Sequence, residues 1–343
     1  MTKSPDIRFD VASVLNRGRR DYQEDAIATD FPQGADFGYA VLSDGMGGHA
    51  AGDVASKIVV TEMFSELKFQ SSDTKSFSQN VCSVLKGAAI SANACMAAHT
   101  SNNPDTAGMG ATLVAPVFIR DKLFWISIGD SPLYLYRNGQ LRQLNEDHSL
   151  GPHIDYMVRS GMMSEDVGRN HPDRNALTSV LIGETIERID CPEVPFQLRS
   201  GDILIVASDG LQFLSNGRIR EVLRESDDMP SVRIADRLMG ELRKLGDPEQ
   251  DNISFSIIKV RFKAQTEDSN IFTPPEFEKQ GKRRRQVTTR PIKPQPALQD
   301  DVVTSKETPK EESLAPPPGT KKSSGEGAPI FLRRRWLASD GGA

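Results

Sequence analysis

The chain has 343 residues, 26% of them charged, with a formal net charge of −5 and a pI near 5.7; that length allows one large or two ordinary domains, and the acidic balance argues against a general nucleic-acid binder. The charge is uneven, because residues 264–343 hold 14 Lys+Arg against 11 Asp+Glu and leave 28 against 36 in residues 1–263. Cys82, Cys95 and Cys191 show no CxxC spacing, so they read as small buried hydrophobes rather than a disulfide framework or zinc site; with no apolar leader and no apolar stretch of about 18 residues in this reading, a soluble cytoplasmic protein is expected.

Residues 7–14 open the chain as a strand, followed by the polar run RRDYQEDAI with Arg19, Arg20, Glu24 and Asp25. A strand over 38–42 leads into SDGMGG. Helical spacing of Val54, Ile58, Met63 and Leu67 predicts a helix over 50–67, and Val81, Leu85, Ala88, Ala92 and Cys95 predict a second. Strands follow at 112–119, 123–128, 133–136 and 141–144, the last two joined by Asn138-Gly139, a two-residue hairpin signal. A polar stretch over 148–183 is longer than a plain connection, and reads equally well as a lid or as an ordinary helical excursion. A strand at 203–207, a helix through Ile234, Leu238, Leu242 and Leu245, and a strand at 253–260 complete a largely antiparallel order with no internal repeat. Beyond residue 263 the chain is rich in Pro, Ser, Thr, Glu and Lys and is expected to be disordered, because it lacks the apolar surface to offset its ordering entropy.

Three aspartates stand at the ends of apolar runs: Asp44 in YAVLSDGMGG, Asp209 in ILIVASDGL and Asp251 in EQDNISFSI. One Asp-Gly is usually a turn; two strand-terminal copies, an Asp-Asn strand opening and Glu24-Asp25 together suggest carboxylates meeting at one rim of a core. Carboxylates so placed repel unless a cation neutralises them. Oxygen donors without His or Cys select Mg²⁺ or Mn²⁺. Asp44 is placed to bridge two ions, with Asp209 and Asp251 on one side and the Gly45 carbonyl on the other, Glu24 and Asp25 acting through water. Two such ions would acidify a bridging water for in-line attack on phosphorus, and Arg20 would fork onto the phosphate oxygens.

The ordered set RRDYQEDA, VLSDGMGGHAAGDVAS, GATLV, ISIGDSPLYLYRNGQLRQLNEDHSL, GDILIVASDGL and QDNIS, spanning roughly residues 10–262, resembles the metal-dependent protein phosphatases of the type 2C (PPM) class, bacterial type. The resemblance implies an α+β fold, a four-layer αββα sandwich of two antiparallel sheets flanked by helices, over residues 1–262, with a tail over 263–343. It implies a phosphoserine/phosphothreonine phosphatase using two Mn²⁺ or Mg²⁺ ions and reversing a Ser/Thr kinase. By position, Asp44, Gly45, Asp209 and Asp251 match the family's metal ligands, Glu24 and Asp25 its acidic pair, and Arg20 its phosphate-binding arginine. Asp130 matches the aspartate that holds a third, weaker ion, and 148–183 matches the flap beside the active site. Met46 stands where many eukaryotic members have a histidine proposed as general acid, as in bacterial-type members, so a water is the substitute; His49 reads as a helix-edge residue. Pro132 after IGDS and the Gly-Pro after DHSL also depart from the common pattern.

Other classes fit less well. There is no GxSxG for a serine hydrolase, no GK[ST] ending for a phosphate loop, and no DxD for an aspartyl-phosphate enzyme. The remaining alternative is a catalytically weak member of the fold that binds phosphoproteins. In the tail, KRRR at 282–285 and IFLRRRW at 330–336 suggest a docking motif for a protein partner or an anionic membrane, set against a plain solvated tail.

Overall fold

The computed structural model describes residues 6–47 and 50–263. The elements are β1 (Asp6–Asn16), β2 (Asp25–Asp30), β3 (Phe37–Met46), α1 (Ala50–Gln70), α2 (Thr74–Asn102), β4 (Gly110–Ala111), β5 (Leu113–Ile119), β6 (Lys122–Ile128), β7 (Leu133–Arg137), β8 (Gln140–Gln143), α3 (Gly151–Arg159), α4 (Glu165–Arg169), β9 (Phe196–Gln197), β10 (Ile203–Ala207), α5 (Asn216–Glu225), α6 (Ser231–Leu245) and β11 (Ile253–Lys263). One sheet has the order β1-β11-β10-β7-β8 and the other β2-β3-β5-β6-β9, with β4 added beside β3. Every pairing between these strands is antiparallel.

The apolar runs are continuous because both faces of the central strands are covered. In β3, Tyr39 and Val41 face α1 and α2, joining Met63, Leu67 and Leu85, whereas Ala40 and Leu42 face the opposite sheet. In β10, Ile203 and Ile205 face α5 and α6, meeting Ile219 and Leu238, whereas Leu204 and Val206 meet Val114, Phe118 and Ile258 between the sheets. Three apolar layers therefore separate helices, sheet, sheet and helices, the expected αββα sandwich.

Asn138 and Gly139 take positive φ values of 51° and 75°, the geometry a two-residue hairpin between β7 and β8 requires. Strands β2, β4 and β9 and helix α5 are additional to the elements expected from the sequence, and α3 and α4 lie within the 148–183 stretch. The departure at Gly151-Pro152 falls in the first turn of α3, where proline has no helical hydrogen bond to lose. The helical stretch Ala51–Asn102 contains an 18-residue window of mean hydropathy 1.4, long and apolar enough to cross a membrane, which corrects the expectation that no such stretch exists. Its apolar residues Phe77, Val81, Leu85, Ala89 and Met96 are spent on the core against the second sheet. Of the cysteines only Cys191 is buried; Cys82 and Cys95 are half-buried, so the buried reading holds for one of three. Gly48, His49 and the proposed tail motifs lie outside the described residues.

Candidate active site

Antiparallel pairing brings the acidic residues to one end of the sandwich. Asp25 at the start of β2 lies directly opposite Asp44 near the end of β3. In the other sheet, Asp209 follows β10 and opens a short 3-10 turn, while Asp251 stands two residues before β11, the strand paired with β10. Glu24 immediately precedes β2. Asp44 is thus not at the very end of its strand but inside it, paired with Asp25 on one side and bonded to Thr112 on the other.

Several contacts fasten these ends together. The Ser208 hydroxyl donates to Asp25 Oδ2 at 2.7 Å, tying the end of β10 in one sheet to β2 in the other. The Asn252 side chain accepts from the Glu24 amide at 2.7 Å and donates to the carbonyls of Arg17 at 2.8 Å and Tyr22 at 2.9 Å. It therefore pins the loop that carries Arg20, Glu24 and Asp25. Arg20 Nη2 reaches Asp251 Oδ2 at 2.7 Å with its side chain half exposed. The Gly45 amide donates to the Glu24 carbonyl at 3.1 Å, and a Cβ on Gly45 would stand 1.9 Å from the Gly52 carbonyl oxygen. Only glycine permits that approach, and the same is true of Gly210, where a Cβ would meet the Asn252 carbonyl oxygen at 1.8 Å.

Asp44 is set by Thr112, whose hydroxyl accepts from the Asp44 amide at 3.0 Å and whose own amide donates to the Asp44 carbonyl at 2.9 Å. Asp130 follows Gly129 after β6. Buried His148 clamps that turn: its Nδ1 accepts from the Gly129 amide at 3.2 Å and its own amide donates to the Gly129 carbonyl at 3.1 Å. The His148 carbonyl in turn accepts from the Thr178 amide at 2.7 Å and hydroxyl at 2.9 Å, closing the base of the 148–183 segment.

Burial is the first cause that pushes the Asp25 carboxyl up to about 7; bonds from Ser208 and Ser254 oppose it, and the negative charges of Asp209 and Asp251 add to it. These carboxylates feel one another across the rim. Among the described residues, however, no three acidic, His or Cys side chains are already closed on a single point. Asp251 pairs with Arg20, and Asp25 accepts from Ser208. The donor set is wholly oxygen, and its mutual repulsion is what a hard divalent ion would relieve. The residues fit such an ion.

The sequence names the acidic residues and Arg20 as candidates, but not the contacts made by Ser208, Asn252, Thr112 and His148. A signal for Ser208 existed, since serine precedes the aspartate in both SDG copies. Both serines are fully buried and committed, Ser208 to Asp25 and Ser43 to the Thr112 carbonyl at 2.6 Å, which removes them as nucleophiles.

The family described as Protein phosphatase 2C matches residues 16–252. Serine/threonine phosphatase stp of Listeria welshimeri is 30% identical over 233 residues, covering 67% of this chain and 87% of that protein. The crystal structure of the Mycobacterium tuberculosis serine/threonine phosphatase PstP/Ppp is similar with a TM-score of 0.61 and 29% identity, covering 74% of this chain and 99% of that one. The catalytic domain of PstP in complex with two manganese ions is similar with a TM-score of 0.58 and 29% identity, covering 74% and 99%. With the two-sheet sandwich and the acidic rim at its end, these likenesses place the chain in the protein phosphatase 2C family of serine/threonine phosphatases.

Proposed function

We propose that the rim formed by Asp44, the Gly45 carbonyl, Asp209 and Asp251, with Glu24 and Asp25 acting through water, holds two Mn²⁺ or Mg²⁺ ions, and that Asp130 with Asp209 holds a third, weaker one. The observation that carries this reading is the convergence of acidic residues from the ends of β2, β3, β10 and β11 in a protein of this family. Bound there, divalent ions would supply an acidified water as nucleophile and positive charge against the phosphoryl oxygens of a phosphoserine or phosphothreonine. Arg20, half exposed and already turned inward onto Asp251, is positioned to exchange part of that contact for a phosphate oxygen. Met46 offers no proton, so solvent protonates the departing alkoxide. Phosphorylated proteins are the substrates this chemistry selects, with a Ser/Thr kinase as the opposing activity and the cytoplasm as the compartment. KRRR and IFLRRRW are proposed as docking elements, for a protein partner or an anionic membrane, on their sequence alone.

The test is hydrolysis of a phosphothreonine peptide by the full chain. Turnover should require Mn²⁺ or Mg²⁺, vanish with a chelator and return on metal addition. Asp44→Asn or Asp209→Asn should lower kcat roughly a hundredfold or more with circular dichroism unchanged. Wild-type turnover in either folded variant, or in chelator, would overturn the assignment.

A further inference from the structure

On the helix-covered face of the second sheet, two thiols from distant parts of the chain meet. The Cys82 thiol in α2 donates to the Pro192 carbonyl at 3.1 Å, and the Cys191 thiol approaches the carbonyl of Cys82 itself at 3.9 Å. Each sulfur is thus seated on the backbone of the other residue's segment. Burial first, then the adjacent Cys82 thiol, push the Cys191 thiol up to about 12, in keeping with two sulfurs side by side among apolar neighbours. Cys82 is half-buried and within reach of a small oxidant, whereas Cys191 is buried. The third cysteine, Cys95, lies further along α2 beside Glu62.

We propose that Cys82 and Cys191 are an oxidation site, closing a reversible disulfide between α2 and the segment that leads from α4 to β9. With a peroxide as oxidant, Cys82 sulfur attacks one peroxide oxygen, giving the sulfenic acid and one water. Cys191 sulfur then displaces the hydroxyl group from Cys82 sulfur, and its proton leaves with that hydroxyl as a second water. Two electrons pass from the thiol pair to the peroxide, and a dithiol reductant reverses the step.

The bond would act on more than two residues. Asp190, beside Cys191, pairs its backbone with Ser127 of β6 at 2.8 Å and 3.0 Å. Its carboxylate accepts from Trp125 Nε1 at 2.9 Å and from the Glu146 amide at 2.9 Å, next to the His148 clamp. The disulfide therefore ties the helix layer to the strut beneath the 148–183 segment. It also closes a loop through the middle of the chain, which removes conformational freedom from the unfolded state.

The experiment treats the reduced full chain with hydrogen peroxide, then alkylates it and measures intact and peptide masses. The expected product has lost two hydrogens per chain, shows a Cys82–Cys191 crosslinked peptide, and reverts with dithiothreitol. Cys82→Ser and Cys191→Ser should each abolish the crosslink, whereas Cys95→Ser should keep it. The oxidised wild type should melt about 5 °C or more above the reduced form, a gain absent from both crosslink-defective variants. A crosslink through Cys95, or oxygen added at Cys82 with no crosslink, would overturn the proposal, as would an oxidised form that melts no higher.

Discussion

Asn252 joins the start of β11 to three backbone groups of the loop that carries Arg20 and Glu24. One amide side chain satisfies the Glu24 N–H and the carbonyls of Arg17 and Tyr22, and so fixes the loop bearing Arg20 and Glu24 against the start of β11. Truncation would leave three backbone groups without those partners, each lost bond costing about 1 kcal/mol. Asn252→Ala is therefore expected to destabilise the fold by about 3 kcal/mol, read from urea unfolding of the metal-free chain. It should also raise the Mn²⁺ concentration needed for half-maximal turnover about tenfold or more, because the residues that support ligands act on affinity. An Asn252→Ala chain with wild-type metal dependence would show that the loop holds itself.

At the scale of elements, legibility followed burial. Strands β3, β5, β10 and β11 were visible because apolar layers on both faces demand unbroken aliphatic runs. Strand β2 was not, since DAIATD is small and polar and becomes a strand only through its register with β3. In α5, Ile219, Val222 and Leu223 do carry helical spacing, but ten residues give it little weight. The same division runs through the site. Carboxylates announce themselves by charge at strand ends, whereas Ser208 and His148 gain meaning only from partners 183 and 19 positions away. His148 yields a pH prediction. Burial first, and Arg188 next, hold its imidazole below the ordinary histidine range against the opposing pull of Glu146, Asp190 and Asp147. Below about pH 6.5 the unfolded chain takes up a proton that the folded chain refuses, so this residue's contribution to stability falls as pH falls. His148→Asn keeps an acceptor for Gly129 and removes the titration. Relative to that variant, the wild type should lose stability between pH 7.5 and pH 5.5, by at most about 1.4 kcal/mol per pH unit below 6.5. Paired urea titrations at the two pH values measure the difference. A gap that does not change with pH would mean that the folded imidazole takes up its proton at the same pH as the unfolded one, and a gap that grows in the wild type's favour as pH falls would mean that it is already charged.

At the scale of the whole molecule, the sandwich is complete before the composition changes. Strand β11 lies between β1 and β10, and its pairing with β1 runs in unbroken register from Ile253 to Lys263. Its inward residues Phe255 and Ile257 complete one apolar layer and Ile258 and Val260 another. Every residue assigned to the rim falls between Arg20 and Asp251, inside the family match over 16–252. The strand order of the described residues closes at β11, and a chain ending at Lys263 is expected to melt within about 2 °C of the full chain, a difference of well under about 1 kcal/mol. It should also hydrolyse a short phosphothreonine peptide with unchanged kcat and KM. The full chain can differ only where a substrate is large enough to meet the Arg-rich segments. The body carries 28 Lys+Arg against 36 Asp+Glu, a balance expected to disfavour acidic phosphoproteins, whereas the tail carries an excess of three positive charges. Removing it should therefore raise KM for an acidic phosphoprotein at low ionic strength, and added salt should shrink that increase. Calorimetry and steady-state kinetics on the two chains decide the matter: lost peptide turnover or a markedly lower melting temperature would place part of the catalytic fold beyond β11.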